Sequence, residues 1–127
     1  MKINDKEFVI EMKGKTYHCA MDISMSYIGG KWKTVVLWYL KSKKRRFGEL
    51  RKLCPQVTER MLSITLKQLE EDGLVIRKVY SKKPPLKVEY SLTEFGQSLI
   101  PMLEEIAKWG REVGIQQGAL REVNTIQ

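Results

Sequence analysis

The segment spanning residues 46–75, RFGELRKLCPQVTERMLSITLKQLEEDGLV, constrains the fold of this chain more than any other. It predicts a short helix, a turn at Cys54 and a longer helix that begins at Thr58, because a threonine hydroxyl satisfies free backbone donors at a helix start. Gly73 should end the longer helix, because glycine accepts the left-handed geometry just past a last turn. The segment therefore predicts a helix-turn-helix, with a strand beginning at Leu74.

The longer helix of this segment has two contrasting faces. Three leucines at positions i, i+4 and i+7 predict a buried stripe: Leu62, Leu66 and Leu69. The opposite side carries polar side chains around one apolar residue: Arg60, Ser63, Ile64, Lys67 and Gln68. A helix buried along its back, with hydrogen-bond donors on its front, suits the DNA major groove, and Thr58 at its start is a further candidate DNA contact. An ordinary amphipathic helix with a solvated charged face is the alternative at this point.

Two runs of β-branched and aromatic residues follow the helices and flank a short loop. The loop contains Pro84 and Pro85, which cannot continue a strand ladder, so the two runs predict a hairpin. The tip of this hairpin carries three lysines: Lys82, Lys83 and Lys87. Helix, turn, helix and basic hairpin is the order of a winged helix, whose wing lies along the phosphates or in the adjacent minor groove.

The order of short motifs along the chain resembles the HxlR-type, MarR-like family of winged helix-turn-helix bacterial transcriptional regulators. The resemblance runs from about Cys19 to Trp109. The motifs that carry it are Ile28-Gly29-Gly30-Lys31-Trp32, Arg46-Phe47-Gly48-Glu49-Leu50-Arg51, Arg60-Met61-Leu62, Leu69-Glu70-Glu71-Asp72-Gly73-Leu74-Val75, Pro84-Pro85, Val88-Glu89-Tyr90-Ser91-Leu92-Thr93 and Gly96. The resemblance implies a homodimeric, DNA-binding regulator without enzymatic activity.

The positive charge of the chain is concentrated on the predicted DNA-binding module. The net charge is +8, and residues 31–89 hold 16 basic and six acidic side chains. The densest basic run, residues 41–46, ends at Arg46, directly before the first helix of the motif. A basic excess there is expected of a protein that displaces the counterions of DNA phosphates. A merely solvated basic loop is the alternative.

Thr93 is expected to cap a long C-terminal helix that Pro101 kinks. Its apolar positions repeat at intervals of three and four: Leu99, Met102, Leu103, Ile106, Trp109 and Val113. The stripe is too long for a small domain to cover, so it predicts a dimer interface. The alternative is that it caps the core of its own chain. A homodimer implies an inverted-repeat operator in double-stranded DNA.

The two cysteines are candidates for redox sensing. Cys19 is expected at the start of the first helix beside His18, where backbone donors and the imidazole would favour the thiolate. By the resemblance, it matches the N-terminal cysteine of redox-sensing family members. Cys54 lies in the turn before the recognition helix, where a modification would move the DNA-reading element. Two ordinary reduced thiols are the alternative.

The rest of the sequence predicts how the domain is organised. We expect one α+β, mostly α domain over residues 1–127, a winged helix-turn-helix with a C-terminal dimerisation helix. It divides into an N-terminal arm (1–18) with a short strand, a DNA-binding core (19–92) and the dimerisation helix (93–115). Helices at about 21–28 and 31–40 should precede the motif. Trp32 and Trp38 should pack rather than form a ligand cage.

Enzymatic and membrane classes find no support in the sequence. One histidine and two cysteines do not form a structural zinc site, and no glycine-rich phosphate loop follows a strand. We therefore expect no enzyme, metal or cofactor. No apolar run is long enough to cross a membrane and no signal peptide is present, so a cytoplasmic location is expected. Two classes remain, a sequence-specific DNA regulator and a winged helix that binds protein or RNA.

Overall fold

The computed structural model describes residues 1–123, so the last four residues of the predicted domain lie outside it. The helices are α1 (Ala20–Ile28), α2 (Lys33–Leu40), α3 (Phe47–Leu53), α4 (Glu59–Glu71), α5 (Glu94–Gln97) and α6 (Ile100–Gln116). The strands are β1 (Lys2–Ile3), β2 (Lys6–Glu7), β3 (Ile10–Met12), β4 (Lys15–Tyr17), β5 (Val75–Ser81) and β6 (Lys87–Leu92). This order confirms the predicted α+β winged helix-turn-helix with a C-terminal helix.

The core lies where α2, α3 and α4 pack together. Leu62, Leu66 and Leu69 of α4 are at most 1% exposed, as is Leu37 of α2 and Leu50 of α3. Burying a leucine side chain contributes about 1.5–3 kcal/mol. The predicted leucine stripe is therefore confirmed, and it fixes the back of α4 to the body of the protein. The predicted packing of the two tryptophans is confirmed too, since both lie half-buried against this core.

Both ends of α4 are closed by local hydrogen bonds. The Thr58 hydroxyl accepts from the backbone N–H of Met61 at 3.0 Å, as the sequence predicted. Gly73 has a φ of +76°, and the N–H of Leu74 donates to the carbonyl of Leu69 at 2.9 Å. Leu74 therefore completes the helix cap, and β5 begins one residue later than predicted.

The wing is an antiparallel hairpin of β5 and β6, as predicted. Its register runs from the pair Val75–Leu92 to the tip, with an irregularity between Val79 and Ser81. A third segment joins it, because Arg45 and Tyr90 exchange two backbone hydrogen bonds of 2.9 and 2.8 Å. The end of the basic run is therefore part of the wing sheet rather than a free loop.

The N-terminal arm contains two hairpins where the sequence predicted one short strand. β1 pairs with β2 and β3 pairs with β4, both antiparallel. Asn4 and Asp5 have φ values of 53° and 63°, and Lys13 and Gly14 have values of 53° and 70°. Two consecutive positive φ values are the signature of the tight turns that match strand twist.

The C-terminal region corrects the prediction of one long helix kinked at Pro101. Thr93 does start a helix, because its hydroxyl accepts from the N–H of Gly96 at 2.9 Å. This helix, α5, ends after one turn, and Leu99 is the N-cap of the separate helix α6. Pro101 lies in the first turn of α6, where a missing N–H costs nothing. The proline therefore marks a helix start.

Helices α1 and α2 lie close to their predicted positions. α1 begins at Ala20, one residue early, and ends at Ile28 with Gly29 as its C-cap, as expected. α2 begins at Lys33 rather than residue 31, with Trp32 as its N-cap. Val36 of α2 is buried in the core.

Candidate nucleic-acid interface

The front of α4 presents the side chains that the sequence singled out. Arg60, Ser63, Ile64, Lys67 and Gln68 are all exposed. Ile64 is 39% exposed, so this apolar residue stands on the surface rather than in the core. The helix thus carries hydrogen-bonding groups and one branched alkyl group on the side opposite its buried leucines.

Sequence reasoning missed Met61, which is 41% exposed one turn before Ile64. Spacing of i and i+3 places the two on adjoining positions of the same helix face. The helical periodicity that selects Ile64 also places Met61 on the front of α4.

The start of α3 shares a cleft with Leu86 and Val88 of the wing and carries Arg46 as its exposed N-cap. The N–H of Arg46 donates to Oε1 of Glu49 at 2.8 Å. This backbone hydrogen bond, and the nearby charges of Lys43, Arg45 and Arg46, lower the pKa of Glu49. The carboxylate therefore belongs to the helix cap and leaves the Arg46 side chain in solvent.

The turn between α3 and α4 buries Cys54 and Val57 and exposes the residues between them. Arg51 Nη1 lies 3.6 Å from Oε1 of Glu59 across this turn. The Thr58 hydroxyl, a predicted DNA contact, is exposed but accepts the cap bond described above. Its position at the start of α4 is compatible with both roles, since a hydroxyl also donates.

A shallow cleft of about 400 Å³ separates α4 from the wing. Ser63 and Lys67 line it from the helix, and Arg77 and Tyr90 line it from the sheet. Arg77 is an exposed cation that sequence reasoning did not select. The alternation of side chains along a strand could have selected Arg77, because it lies on the same side of β5 as the buried Val75.

The wing carries exposed lysines at and near its tip. Lys82 and Lys83 are exposed in the loop, as is Lys87 at the start of β6. Nζ of Lys87 lies 5.1 Å from the ring centroid of Tyr80, and Nζ of Lys78 lies 4.9 Å from it. Both ammonium groups therefore lie within cation–π distance of the Tyr80 ring.

The predicted dimer stripe divides along α6. Leu103 is only 3% exposed, and Leu99 and Met102 pack against the same core. These three residues therefore cover the core of their own chain, as the alternative interpretation of the stripe predicted. Further along, Ile106 is 47% exposed and Trp109 is 69% exposed. Val113 is half-buried.

The two thiols are in different environments. Cys19 is exposed and is the N-cap of α1, close to its predicted position. Cys54 is the C-cap of α3 and is only 4% exposed, and this burial raises the pKa of its thiol. Cys54 does lie in the turn before the recognition helix, but its burial keeps the thiol from direct contact with solvent oxidants.

Comparison with known proteins agrees with this geometry. The family described as HxlR-like helix-turn-helix matches residues 27–117. The chain belongs to the HxlR family. HxlR proteins are helix-turn-helix DNA-binding transcription regulators, so the resemblance stated from the sequence motifs is confirmed.

Individual relatives support the same assignment. An HTH-type transcriptional regulator of Methanothermobacter thermautotrophicus is 45% identical over 107 residues, covering 84% of this chain and 81% of the relative. The HTH-type regulator YkvN of Bacillus subtilis is 43% identical, with 89% and 95% covered. The redox regulator HypR, in its reduced form, matches with a TM-score of 0.71 and 44% identity, covering 74% of this chain and 92% of HypR. These relatives are named as regulators rather than enzymes.

Residues 1–123 contain neither a membrane-spanning helix nor a metal-binding cluster. Within that range, no helix is long and apolar enough to cross a membrane. In the same part of the chain, no group of three or more histidine, cysteine or acidic side chains is arranged to hold a metal ion.

Proposed function

We propose that this HxlR-family chain is a transcriptional regulator that binds double-stranded DNA sequence-specifically. It acts as a homodimer and has no enzymatic activity. The observation that carries the proposal is the front of α4, where donors surround Ile64 while the leucines behind it are fully buried. A rigidly supported helix of this kind fits the major groove, whose base pairs differ in donors, acceptors and methyl groups.

Each exposed residue of α4 has a proposed role. Arg60, in the first turn of the helix, reaches base edges, because recognition helices read bases with their N-terminal residues. Ser63 and Gln68 add selectivity through hydrogen bonds, and Ile64 contacts a thymine methyl group. Lys67 binds a backbone phosphate, since it is an exposed cation on the front of α4.

Affinity comes from the basic residues around the helix. Arg46 at the start of α3 and the wing residues Lys82, Lys83 and Lys87 contact phosphates, and Thr58 donates to one from the start of α4. Each neutralised phosphate releases counterions and steepens the dependence of binding on salt by roughly 0.9 on a log–log plot. These contacts fix the orientation of α4 without reading sequence.

The alternative function is a winged helix that binds protein or RNA. The exposed pair Met61 and Ile64 is the feature that would favour a protein partner. Donors and cations surround the pair, whereas an apolar binding surface is depleted of charge at its centre. We therefore favour DNA as the partner.

The exposed half of the α6 stripe is the proposed dimer interface. Ile106 and Trp109 present large apolar surfaces, and Val113 continues the row. Burying them against a second copy would place two recognition helices about 34–36 Å apart. The operator is then an inverted repeat with half-sites one turn apart, and occupation of a promoter would repress transcription by steric occlusion.

Cys19 is the proposed oxidant sensor. Its exposure allows a peroxide or hypochlorite to oxidise the thiolate to a sulfenic acid, which a second thiol converts to a disulfide with loss of water. HypR, a similar protein, has been solved in reduced and oxidised forms. Cys54 of the partner subunit is the candidate second thiol, but its burial requires the α3–α4 turn to open first.

DNA readout is tested by comparing Arg60→Ala with the matched wing variant Lys83→Ala. Binding is measured by fluorescence anisotropy on an operator, selected from random duplexes with the wild-type protein, and on random DNA. Arg60→Ala should weaken the free energy of binding to the operator by about 1–3 kcal/mol and reduce the preference for operator over random DNA. Lys83→Ala should weaken binding to both duplexes alike. An unchanged ratio of the two affinities in Arg60→Ala would show that α4 does not read the bases.

A further inference from the structure

A contact between distant parts of the chain joins the N-terminal arm to the end of the recognition helix. Lys13 stands in the tight turn between β3 and β4. Its Nζ lies 3.4 Å from Oδ1 of Asp72, the C-cap of α4. The same Nζ lies 3.7 Å from the ring centroid of Tyr27 on α1. One ammonium group therefore bridges the hairpin, α1 and α4.

The electrostatics of this contact favour a cation. The C-terminal end of a helix carries partial negative charge from its free carbonyl groups, and the Asp72 carboxylate adds a full negative charge there. The face of the Tyr27 ring attracts the ammonium as well. Desolvation opposes the charged form, but the interactions with Tyr27 and Asp72 outweigh it and raise the pKa of Lys13.

A second set of contacts holds the same region from the other side. The Tyr27 ring meets Phe95 of α5 edge-on, with centroids 5.4 Å apart. The hydroxyl of Thr93 donates to the carbonyl of Gly73, directly after Asp72, at 2.6 Å. The C-terminal end of α4 and the glycine after it are thus contacted by the N-terminal hairpin and by Thr93 before α5, and Tyr27 of α1 lies against both Lys13 and Phe95.

We propose that Lys13 is a positioning residue for DNA readout, which sets the tilt of α4 by holding Asp72 against Tyr27. The buried leucines fix α4 along its back, but base contacts tolerate only about 0.5 Å and 10–20° of misplacement. Without the Lys13 contact, the C-terminal end of α4 would lose one support, and a small change of tilt there would shift the front of the helix. This inference rests on the proposed role of α4 in reading DNA. It also connects that helix to the hairpin that directly precedes Cys19.

The test uses Lys13→Met in the full chain, with Lys15→Met as its matched control. Lys15 lies on the same hairpin, is exposed and makes no ion pair among residues 1–123. Operator affinity should fall roughly 2- to 30-fold in Lys13→Met, as expected for a residue that acts through others, while random-DNA affinity changes as little as in Lys15→Met. Lys13→Arg should restore operator affinity because it retains the cation.

Asp72→Asn supplies the reciprocal variant. It should weaken operator binding as Lys13→Met does, and the double variant should show no further loss, because the two substitutions remove one interaction. If Lys13→Met lowers only the unfolding temperature, or weakens operator and random DNA equally, the positioning role is overturned. If the wild-type protein itself binds operator and random DNA equally, the proposed DNA function is wrong. A wild-type operator preference that Lys13→Met leaves unchanged refutes only the positioning role, so the two failures are distinguishable.

Discussion

Replacement of Gly96 by alanine should destabilise this protein strongly, although the change adds only one methyl group. Gly96 is buried at the start of α5, and a Cβ there would overlap the carbonyl oxygen of Leu74. That oxygen also accepts from the N–H of Thr93 at 3.0 Å, so it cannot move without weakening this hydrogen bond. Backbone, unlike the end of a flexible side chain, gives way only at a substantial cost.

The magnitude follows from two contributions. Overpacking of a dense region costs about 1–3 kcal/mol, and a weakened hydrogen bond adds about 1 kcal/mol. We therefore expect Gly96→Ala to lower the free energy of unfolding by about 2–4 kcal/mol. With a urea dependence of about 2 kcal/mol per molar, the unfolding midpoint should fall by roughly 1–2 M.

Gly48→Ala is the matched control. Gly48 is exposed in α3, and a Cβ there meets nothing within 4 Å. The same substitution should stabilise the protein by roughly 0.4–1 kcal/mol, because alanine restricts the unfolded chain. Both variants are measured by urea unfolding at one protein concentration, since dimerisation would make stability concentration-dependent. A Gly96→Ala midpoint equal to that of wild type would refute the close approach of α5 to Leu74.

Three further predictions concern assembly, sensing and pH. Replacing Ile106 and Trp109 with glutamate should give a monomer in sedimentation, with operator affinity reduced about 100-fold or more; a wild-type monomer that binds tightly would contradict this. Oxidant should change operator affinity in wild type but not in Cys19→Ser, and an identical response in both would exclude Cys19 as the sensor. The folded-state pKa of Glu49 is lowered by its bond to Arg46, so its stabilising contribution is present above the unfolded pKa and lost as pH falls through the folded pKa. Glu49→Gln should therefore make the free energy of unfolding, measured in urea, fall less steeply at acid pH. An unchanged acid dependence would show that other carboxyl groups cause it.

The sequence by itself determined the helix-turn-helix and its wing, because the signals for these elements are local. The Thr58 hydroxyl caps α4 through a hydrogen bond from Met61, three residues away, and Gly73 ends the helix through bonds to the preceding turn. The spacing of Leu62, Leu66 and Leu69 predicted the buried back of α4, and therefore also the exposed front that forms the candidate site.

Only the tertiary structure decided the features that depend on which segments meet. Arg45 completes the wing sheet through Tyr90, and Lys13 reaches Asp72, a residue 59 positions later. The apolar stripe of α6 was visible in the sequence, but only packing shows that Leu103 belongs to the core of its own chain. Periodicity in the sequence shows which side of a helix or strand is apolar. It does not show what covers that side, because the covering residues come from segments that are distant in the chain.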